Sequence, residues 1–404
     1  MKDYRLSGMA VTHEAHRWEA AFAERTRAGA GDAITAILGL LANPDLISFA
    51  GGFPDPSTFP ARQAAALLAE LADAGDVLAF QYAPTTGLPG TRGALADRLE
   101  RLQGVRPAED ELLVTSGGIE ALELVSKSFL DKGDVVVVEG PTYLGAIMAF
   151  RSFEAEVHSV PLDADGLDVD ALASLLESGV RPKLLYTIPD YQNPAGVTLS
   201  AERRTALVEL ARHYGFLVVE DVAYRELGFD GSALPSVWSL APDVVVQAGT
   251  TSKTFFPGVR LGWAVGPAEI VAQLVSAKQN TDQCSGALGQ RLYEEYVRRG
   301  WIEEQLRASR ALYAQKWTLL RDALERFMPA GVEWTTPRGG FFTWLTLPVD
   351  ATEVARRAAE QNVGVVPGAL FYSGGSGQDK LRLSFSMVDE SQIATGIEAL
   401  GKSL

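Results

Sequence analysis

The sequence is poor in the residues that form covalent and metal cross-links. It has a single cysteine, Cys284, in 404 residues, and only four histidines. One thiol cannot form a disulfide within the chain, and so few soft ligands leave little material for a zinc-type site. We therefore expect a protein of the reducing cytoplasm that holds no metal.

Positive charge and long apolar runs are also scarce. The chain has 36 Lys and Arg against 51 Asp and Glu, which gives a net charge of −15. Such a balance repels the phosphates of nucleic acids and of anionic membranes. Charged residues interrupt every hydrophobic stretch before it reaches about 18 residues, and the N-terminus lacks the apolar run of a signal peptide. The sequence thus predicts neither a nucleic-acid partner nor a membrane partner.

Core material, in contrast, is abundant, with 47% apolar and 22% charged residues. Short apolar runs alternate with helical patterns over the first two thirds of the chain. The seven predicted strands are ELLVTSG, DVVVVEG, AEVHSVPL, KLLYTIP, FLVVED, DVVVQAG and LGWAVG. Several are apolar at consecutive positions, as is typical of strands buried on both faces of a parallel sheet. The pattern predicts an α/β fold with a mostly parallel seven-stranded sheet flanked by helices.

The hydrophobic period lengthens in the last third of the chain. A long amphipathic helix, interrupted at Gly300, is predicted for YEEYVRRGWIEEQLRASRALYAQKWTLLRDALERF. The strand-like pieces FFTWLTL and LRLSFSM follow, with a helix between them. We therefore expect an N-terminal segment (1–55) that packs on the small domain and frames the cleft, a large domain (56–288), and a small α+β C-terminal domain (289–404).

Polar side chains gather where the predicted strands end. Asn193 follows the fourth strand, Asp221 and Tyr224 lie at the fifth, and Ser252 and Lys253 follow the sixth. In an open α/β sheet, ligands bind beyond the carboxyl ends of the strands. These residues together predict one site at that edge. Taken alone, Asp221 is equally well explained as a helix N-cap, and Lys253 is better explained as a solvated loop lysine; the other site residues argue against that explanation.

A glycine turn before a helix, in SGGIEALELV, adds a weaker signal. The free N–H groups and the positive end of a helix favour an anion, and Gly117 and Gly118 let it approach the backbone. Arg260, seven residues after Lys253, adds a guanidinium suited to a phosphate. Such turns are more often simple connectors. This one matches no dinucleotide-binding or P-loop fingerprint, which argues against a nicotinamide dehydrogenase.

These segments occur together and in one order along the chain. From ISFAGGFPDPSTFP through EGPTYLGA, YQNPAG, EDVAY and SKTFFPGVR to LRLSFSM, the sequence resembles the fold-type I pyridoxal 5'-phosphate (PLP) aminotransferases. It looks most like the branch of 2-aminoadipate, kynurenine and aromatic aminotransferases. The resemblance implies an enzyme that uses PLP to move an amino group from a small-molecule L-amino acid to a 2-oxo acid by a ping-pong mechanism.

The resemblance also implies a role for each residue of the predicted site. Lys253 binds PLP covalently and moves the proton, while Asp221 pairs with the protonated pyridine nitrogen. The other expected cofactor contacts are Asn193 and Tyr224 at the phenolic oxygen, Tyr143 on the ring face, and Gly117, Gly118, Thr250, Ser252 and Arg260 at the phosphate.

The substrate end and the subunit interface are implied in the same way. Alternation in LRLSF places Arg382 on the face opposite Leu381, and the resemblance makes it the clamp for the substrate α-carboxylate, with a surface arginine as the alternative. Asn193 and Gly52 are expected to border the substrate. Tyr82, in FQYAPTTG, is expected to cross a subunit interface to the neighbour's phosphate, which implies a homodimer with shared sites. A buried structural tyrosine is the alternative.

The segment expected to border the side-chain pocket has no basic residue from 28 to 53. Burying a second substrate carboxylate without a cation would cost several kcal/mol. This favours an amino donor with an apolar or aromatic side chain, unless Arg25, Arg27 or Arg338 supplies the charge.

Two rivals to an aminotransferase stay open at this point. The same fold also supports β-lyases, decarboxylases and racemases, which the fold cannot separate. A non-catalytic effector-binding protein is less favoured, because barely fifty residues precede the matching region and the regulators of that kind carry a DNA-binding domain there.

Overall fold

The computed structural model of the chain describes Trp18, residues 21–26 and residues 45–404. The expected packing of the segment 1–55 on the small domain therefore falls largely outside the described residues. Within the described part, no helix combines the length and the hydrophobicity that a membrane crossing requires.

The strands of the described residues form one large sheet and two smaller ones. In chain order they are β1 (Ile47–Ser48), β2 (Leu112–Thr115), β3 (Val135–Gly140), β4 (Glu156–Asp163), β5 (Gly166–Leu167), β6 (Leu184–Thr187), β7 (Leu217–Asp221), β8 (Val245–Thr250), β9 (Gly262–Val265), β10 (Glu333–Trp334), β11 (Phe342–Thr346), β12 (Val363–Gly364), β13 (Val366–Pro367) and β14 (Lys380–Ser384).

The large sheet has the order β2-β9-β8-β7-β6-β3-β4-β5. Its central pairs are parallel, β9 runs antiparallel to both β2 and β8, and β5 runs antiparallel to β4. The α/β fold with a mostly parallel sheet is thus confirmed, and all seven predicted strands are present. The eighth strand, β5, was not predicted because two residues carry no readable period.

Helices lie between the strands, and the last helix follows β14. They are α1 (Ala61–Asp73), α2 (Val77–Phe80), α3 (Pro89–Gln103), α4 (Gly118–Phe129), α5 (Leu144–Ser152), α6 (Val169–Glu177), α7 (Ala201–Tyr214), α8 (Val237–Leu240), α9 (Ala268–Gln279), α10 (Ala287–Arg298), α11 (Trp301–Phe327), α12 (Ala351–Glu360) and α13 (Glu390–Lys402). Between α10 and α11, Gly300 has φ 72°, a left-handed conformation that glycine adopts without strain. The predicted interruption of the long helix is thereby confirmed.

Local sequence signals set the ends of several helices. The Ser200 side chain accepts a hydrogen bond from the backbone N–H of Arg203 at the start of α7, and Gly215, with φ 74°, ends the helix. At the start of α6, the Asp168 carboxylate accepts two backbone N–H groups. These caps satisfy N–H and C=O groups that the helices themselves leave unpaired.

The C-terminal part of the chain carries a second sheet with the order β10-β11-β14-β13, all antiparallel. The N-terminal strand β1 pairs in parallel with β12, so that Ile47 faces Val363. The backbone N–H of Ser384 also donates to the Phe49 carbonyl over 2.8 Å. These bonds fix the segment that leads to Gly52 against the C-terminal part of the chain.

The site lies where these parts meet. Strands β3, β6, β7 and β8 are parallel, so their carboxyl ends reach the same edge of the large sheet. The segment 49–53 and strand β14 border the same space. Between them is a cavity of about 280 Å³.

Candidate active site

The cavity brings together predicted site residues from seven separate stretches of the chain. Most of the predicted site residues line it, namely Gly52, Gly118, Tyr143, Asn193, Asp221, Tyr224, Thr250, Ser252, Lys253, Arg260 and Arg382. Gly117 lies beside them under the Arg260 guanidinium. Tyr82 does not line this cavity.

Lys253 follows β8 and points into the cavity. Its Nζ donates a hydrogen bond to the Gly52 carbonyl over 3.0 Å. Burial lowers the pKa of Lys253 to about 8; Asp221 opposes that change, and Arg260 and Arg382 add to it. The amine is therefore partly neutral near neutral pH, which both a nucleophile and a base require.

Asp221 ends β7 and is held through both of its oxygens. Tyr186 on β6 donates its hydroxyl to Oδ2 over 2.8 Å, and the backbone N–H of Ala223 donates to Oδ1 over 3.0 Å. Burial raises the pKa of Asp221, while these bonds and the nearby Lys253 work in the opposite direction. A carboxylate in such a place favours a positively charged partner.

The first turn of α4 forms a cup whose groups are suited to an anion. Gly117 has φ 95°, and a Cβ added to it would lie 2.5 Å from Nη2 of Arg260. Thr250 donates its hydroxyl to Oγ of Ser252 over 2.9 Å, so both hydroxyls stand at the same end of the cavity. Free N–H groups, two hydroxyls and a guanidinium are the donors that a phosphate accepts.

An acidic side chain lies in this same turn, and a buried lysine offsets part of its charge. Glu120 accepts a bond from the backbone N–H of Ser116 and two from Nζ of Lys278, at 2.8 and 2.7 Å. Lys278 is fully buried and also contacts Asp282. Lys278 is shared between two carboxylates, so it offsets only part of the repulsion that Glu120 would exert on a bound anion.

Arg382 and Asn193 meet at the opposite end of the cavity. Nη1 of Arg382 donates to Oδ1 of Asn193 over 3.0 Å, and Nη2 donates to the Ala50 carbonyl over 2.5 Å. Arg382 is only 5% exposed, and its Nε has no hydrogen-bond partner. The surface-arginine alternative is wrong, because this guanidinium is buried at the cavity.

The loop that carries Asn193 is held by a buried carboxyl group. Gln192 donates through Nε2 to Oε2 of Glu139 and to the Pro141 carbonyl, both over 2.8 Å. The hydroxyl of Thr187 donates to the other oxygen of Glu139 over 2.5 Å. Burial raises the pKa of Glu139 to about 7. This network fixes the amide of Asn193 relative to β3 and β6.

Two tyrosines complete the walls. The Tyr143 ring folds over Gly145, where an added Cβ would lie 2.5 Å from Cζ of the ring. Tyr224 is buried against Phe341 and Phe342, with ring centroids 5.4 and 5.6 Å away. Burial raises the pKa of both tyrosines, so each keeps its proton at neutral pH.

Tyr82 is the predicted site residue that the structure leaves apart from the others. It is 77% exposed, so the alternative of a buried structural tyrosine does not hold within one chain.

Sequence reasoning missed Tyr186 and most of the apolar wall of the cavity. The wall residues are Phe53, Ile119, Leu122, Leu144, Ile188 and Phe371. Tyr186 pairs with Val219, two residues before Asp221 on the neighbouring strand, so both side chains stand on one face of the sheet. The signal was a tyrosine within the mainly apolar run KLLYTIP, but the order of the strands was needed to connect it with Asp221.

The donor set fits PLP at both ends. The cup at Gly117 leaves no room for a side chain, as a phosphate in contact with the backbone requires. An amine of lowered pKa and a carboxylate without an ion-pair partner lie beyond it, at Lys253 and Asp221. Within the described part of the chain, no group of three His, Cys, Asp or Glu is arranged to hold a metal ion.

Comparisons with known proteins agree with this geometry. Residues 44–400 match the family Aminotransferase class I and II. The chain is 39% identical to the 2-aminoadipate transaminase of Thermus thermophilus, covering 96% of this chain and 97% of that protein. It is 35% identical to aromatic-amino-acid aminotransferase 1 of Thermococcus litoralis, covering 96% and 94%. The crystal structure of Pyrococcus horikoshii kynurenine aminotransferase in complex with PMP has a TM-score of 0.92 at 38% identity, covering 96% of this chain and 98% of that one.

Proposed function

Because the chain belongs to the class I and II aminotransferases, it is a PLP-dependent enzyme that transfers amino groups, and we propose which residues perform each part of that reaction and which amino acid it prefers. The observation that carries the proposal is the convergence of Lys253, Asp221 and Arg382 on one cavity. Bound PLP supplies the aldehyde that takes up the amino group and a ring that withdraws electrons from the reacting carbon. A 2-oxo acid receives the amino group in the second half of the ping-pong cycle.

Lys253 is the proposed covalent anchor and base. Its Nζ, held by the Gly52 carbonyl, accepts the proton from the substrate α-carbon. The lowered pKa supports this role, since an ordinary lysine is almost entirely protonated at neutral pH. The carbonyl of Gly52 keeps the amine inside the cavity.

Asp221 is the proposed partner of the pyridine nitrogen. The hydroxyl of Tyr186 and the N–H of Ala223 fix its two oxygens, so the carboxylate is oriented before the cofactor binds. A fixed negative charge at this point stabilises the positive charge of the ring nitrogen. At the other edge of the ring, Asn193 and Tyr224 are the proposed donors to the phenolic oxygen, and Tyr143 stacks on the ring.

The cup at the start of α4 is the proposed phosphate site. Gly117 and Gly118 provide backbone N–H groups, Thr250 and Ser252 provide hydroxyls, and Arg260 provides charge. Beside this site, Lys278 offsets part of the negative charge of Glu120.

Arg382 is the proposed ligand of the substrate α-carboxylate. Its two known bonds use one N–H each of Nη1 and Nη2, which leaves the other N–H of each group for a carboxylate. The Asn193 amide, bonded to Nη1, fixes the orientation of the guanidinium.

We propose that the preferred amino donor has an apolar or aromatic side chain. The wall formed by Ile119, Leu122, Leu144, Ile188 and Phe371 is apolar. Among the described residues that line the cavity, the cations are Lys253, Arg260 and Arg382, each of which has a proposed role at the cofactor or at the α-carboxylate. The exposed Arg25 and Arg338 do not line it, and Arg27 with residues 28–44 lies outside the described residues.

Specificity constants with one common 2-oxo acid acceptor test this proposal. Phenylalanine and leucine are expected to exceed glutamate and 2-aminoadipate. A clear preference for either acidic donor would mean that a cation reaches the side-chain pocket from another segment, and would overturn the proposed specificity while leaving the aminotransferase assignment intact.

We further propose a homodimer with shared sites. The short helix α2 exposes Val77, Leu78 and Phe80 by 71%, 59% and 64%, and Tyr82 directly follows it. Such a contiguous apolar patch is typical of an interface. Covered by a second copy of the chain, it would place Tyr82 against the partner.

Mixed dimers test the shared site. A Tyr82→Phe subunit paired with a Lys253→Ala subunit should form one site with both changes and one with neither, which restores part of the normal kinetics to the mixture. A protein that is monomeric by light scattering and still fully active would refute the dimer.

The proposed compartment is the cytoplasm. A single thiol, Cys284, is compatible with a reducing environment, since nothing in the fold depends on a disulfide within the chain. Fractionation of cells of the source organism tests it, and recovery of the enzyme outside the cytoplasm would contradict it.

A further inference from the structure

The buried guanidinium of Arg382 lies against two phenyl rings. Its Cζ is 4.6 Å from the centroid of the Phe342 ring and 4.7 Å from that of Phe371. Phe342 begins β11, which pairs with the strand of Arg382, and Phe371 ends a 3-10 helix at 368–371. Two separate segments therefore deliver an aromatic ring to one cation.

This cation has no carboxylate partner among the described residues. Its hydrogen bonds go to two neutral oxygens, and its Nε has no partner at all. Burial lowers the pKa of Arg382 to about 10, so the group stays charged at neutral pH. An uncompensated buried charge is costly, and the neighbouring groups must stabilise it in another way.

The negative face of an aromatic ring attracts a cation but offers no acceptor lone pair for its N–H groups. A carboxylate in the same place would bind those N–H groups and would compete with an incoming carboxylate. We propose that Phe342 and Phe371 are positioning residues that stabilise the charge of Arg382 while leaving its N–H groups free for the substrate α-carboxylate. This inference rests on the proposed role of Arg382.

Phe371 is the residue to change, although it also lines the cavity and belongs to the apolar wall proposed for the substrate side chain. Phe342 also contacts the cofactor-binding region, because an added Cβ at Gly52 would lie 2.9 Å from its Cζ and its ring packs on Tyr224. Phe371 packs on Trp344, and its backbone carbonyl accepts the Thr142 N–H in any variant.

The experiment compares Phe371→Leu and Phe371→Tyr with the wild-type holoenzyme. Calorimetry measures the affinity for 3-phenylpropionate and for glutarate, two carboxylates without an amino group. Phe371→Leu should weaken whichever of the two binds more tightly by about tenfold, or about 1.4 kcal/mol, whereas Phe371→Tyr should keep the affinity within about twofold.

Kinetics separate positioning from a general loss of structure. Phe371→Leu should raise KM for phenylalanine by about the same factor with little change in kcat, and should impair the single-turnover reaction of phenethylamine, which has no carboxylate, less than that of phenylalanine. Phe153→Leu, a ring removed from a half-buried place in the large domain, is the matched control and should change neither value.

A second variant isolates the electrostatics. A trifluorinated phenylalanine introduced at position 371 keeps the shape of the ring but removes the negative charge of its face, and should weaken carboxylate binding about as much as leucine does. If Phe371→Leu does not fold, this variant still tests whether the face of the ring supports carboxylate binding.

Three outcomes would overturn the inference: unchanged carboxylate affinity in the fluorinated variant, an equal loss with phenethylamine, or a tyrosine variant as impaired as leucine. The Arg382→Leu variant distinguishes failure of the role inferred for the rings from failure of the role proposed for Arg382. If it too leaves carboxylate binding unchanged, the proposed role of Arg382 itself fails. If only the Phe371 variants behave like wild type, Arg382 stands and the aromatic contacts carry no function.

Discussion

The lowered pKa of Lys253 predicts how the cofactor-free protein captures PLP. Only the neutral amine can attack the aldehyde, so the rate of covalent attachment should rise with pH through the pKa of this lysine. With a pKa of about 8, roughly one tenth of the amine is neutral at pH 7, against about 3 in 10,000 for a lysine at 10.5. The cavity therefore raises the neutral fraction of the amine at pH 7 by about 300-fold over that of an ordinary lysine, and attachment at this pH should be faster for that reason.

The assay mixes apoprotein with PLP between pH 6 and 10.5 and follows the absorbance change of covalent attachment. The apparent midpoint should lie near pH 8. Asp221→Asn should move it down, because the carboxylate favours the charged amine, and Arg382→Leu should move it up, because the guanidinium disfavours it. The reaction of PLP with a free alkylamine over the same range gives the pH dependence of PLP itself.

Lys253→Ala is the matched control. It should bind PLP without the covalent phase, and borohydride treatment of wild type should attach the cofactor to Lys253 and to no other lysine. A midpoint near 10, or shifts of the opposite sign in the two variants, would refute the argument that burial and these neighbours set the pKa.

Three further predictions concern residues around the cofactor. Asp221→Asn should keep its circular dichroism spectrum but lose about a hundredfold or more in kcat, as a few kcal/mol of lost stabilisation implies, and near-normal turnover would mean that Asp221 is only a helix cap. Tyr186→Phe removes the hydroxyl that donates to Asp221 and should lower kcat about tenfold, since a hydrogen bond to a charged group contributes about 1.5–3 kcal/mol; an unchanged kcat would show that Asp221 needs no such support. Gly117→Ala should raise the Kd for PLP about tenfold, because its Cβ would displace Arg260 and each 1.4 kcal/mol lost is a factor of ten. Gly133→Ala, at a similar φ of 84° with open space around it, controls for backbone strain and should leave the Kd unchanged.

Much of the large sheet could be predicted from local pattern. The runs VVVV in β3 and LLV in β2 are apolar at consecutive positions because both faces of the sheet are covered, and this pattern can be recognised in the sequence. The polar residues after β7 and β8 then had to meet, since parallel strands share an edge. The position of the cavity followed from these two facts.

The remaining contacts depend on tertiary proximity that no local pattern encodes. The bond from Lys253 to Gly52 spans 201 residues, and that from Tyr186 to Asp221 requires β6 and β7 to be neighbours. Nothing in the sequence distinguishes Phe342 and Phe371 from ordinary core residues. Only the fold places both of them against Arg382.

The position of Arg382 near the end of the chain also determines when the proposed site is completed during synthesis. Its partner Ala50 lies 332 residues earlier in the chain, while the phosphate cup and Lys253 are encoded before residue 261. At about 5–20 residues per second, a ribosome needs about 17–66 s to pass from Ala50 to Arg382. The nascent chain thus contains every proposed phosphate contact well before it contains the carboxylate clamp. With the proposed roles, the residues that hold the cofactor are synthesised before the residue that binds the substrate carboxylate, which comes only with β14, the last strand of the small sheet.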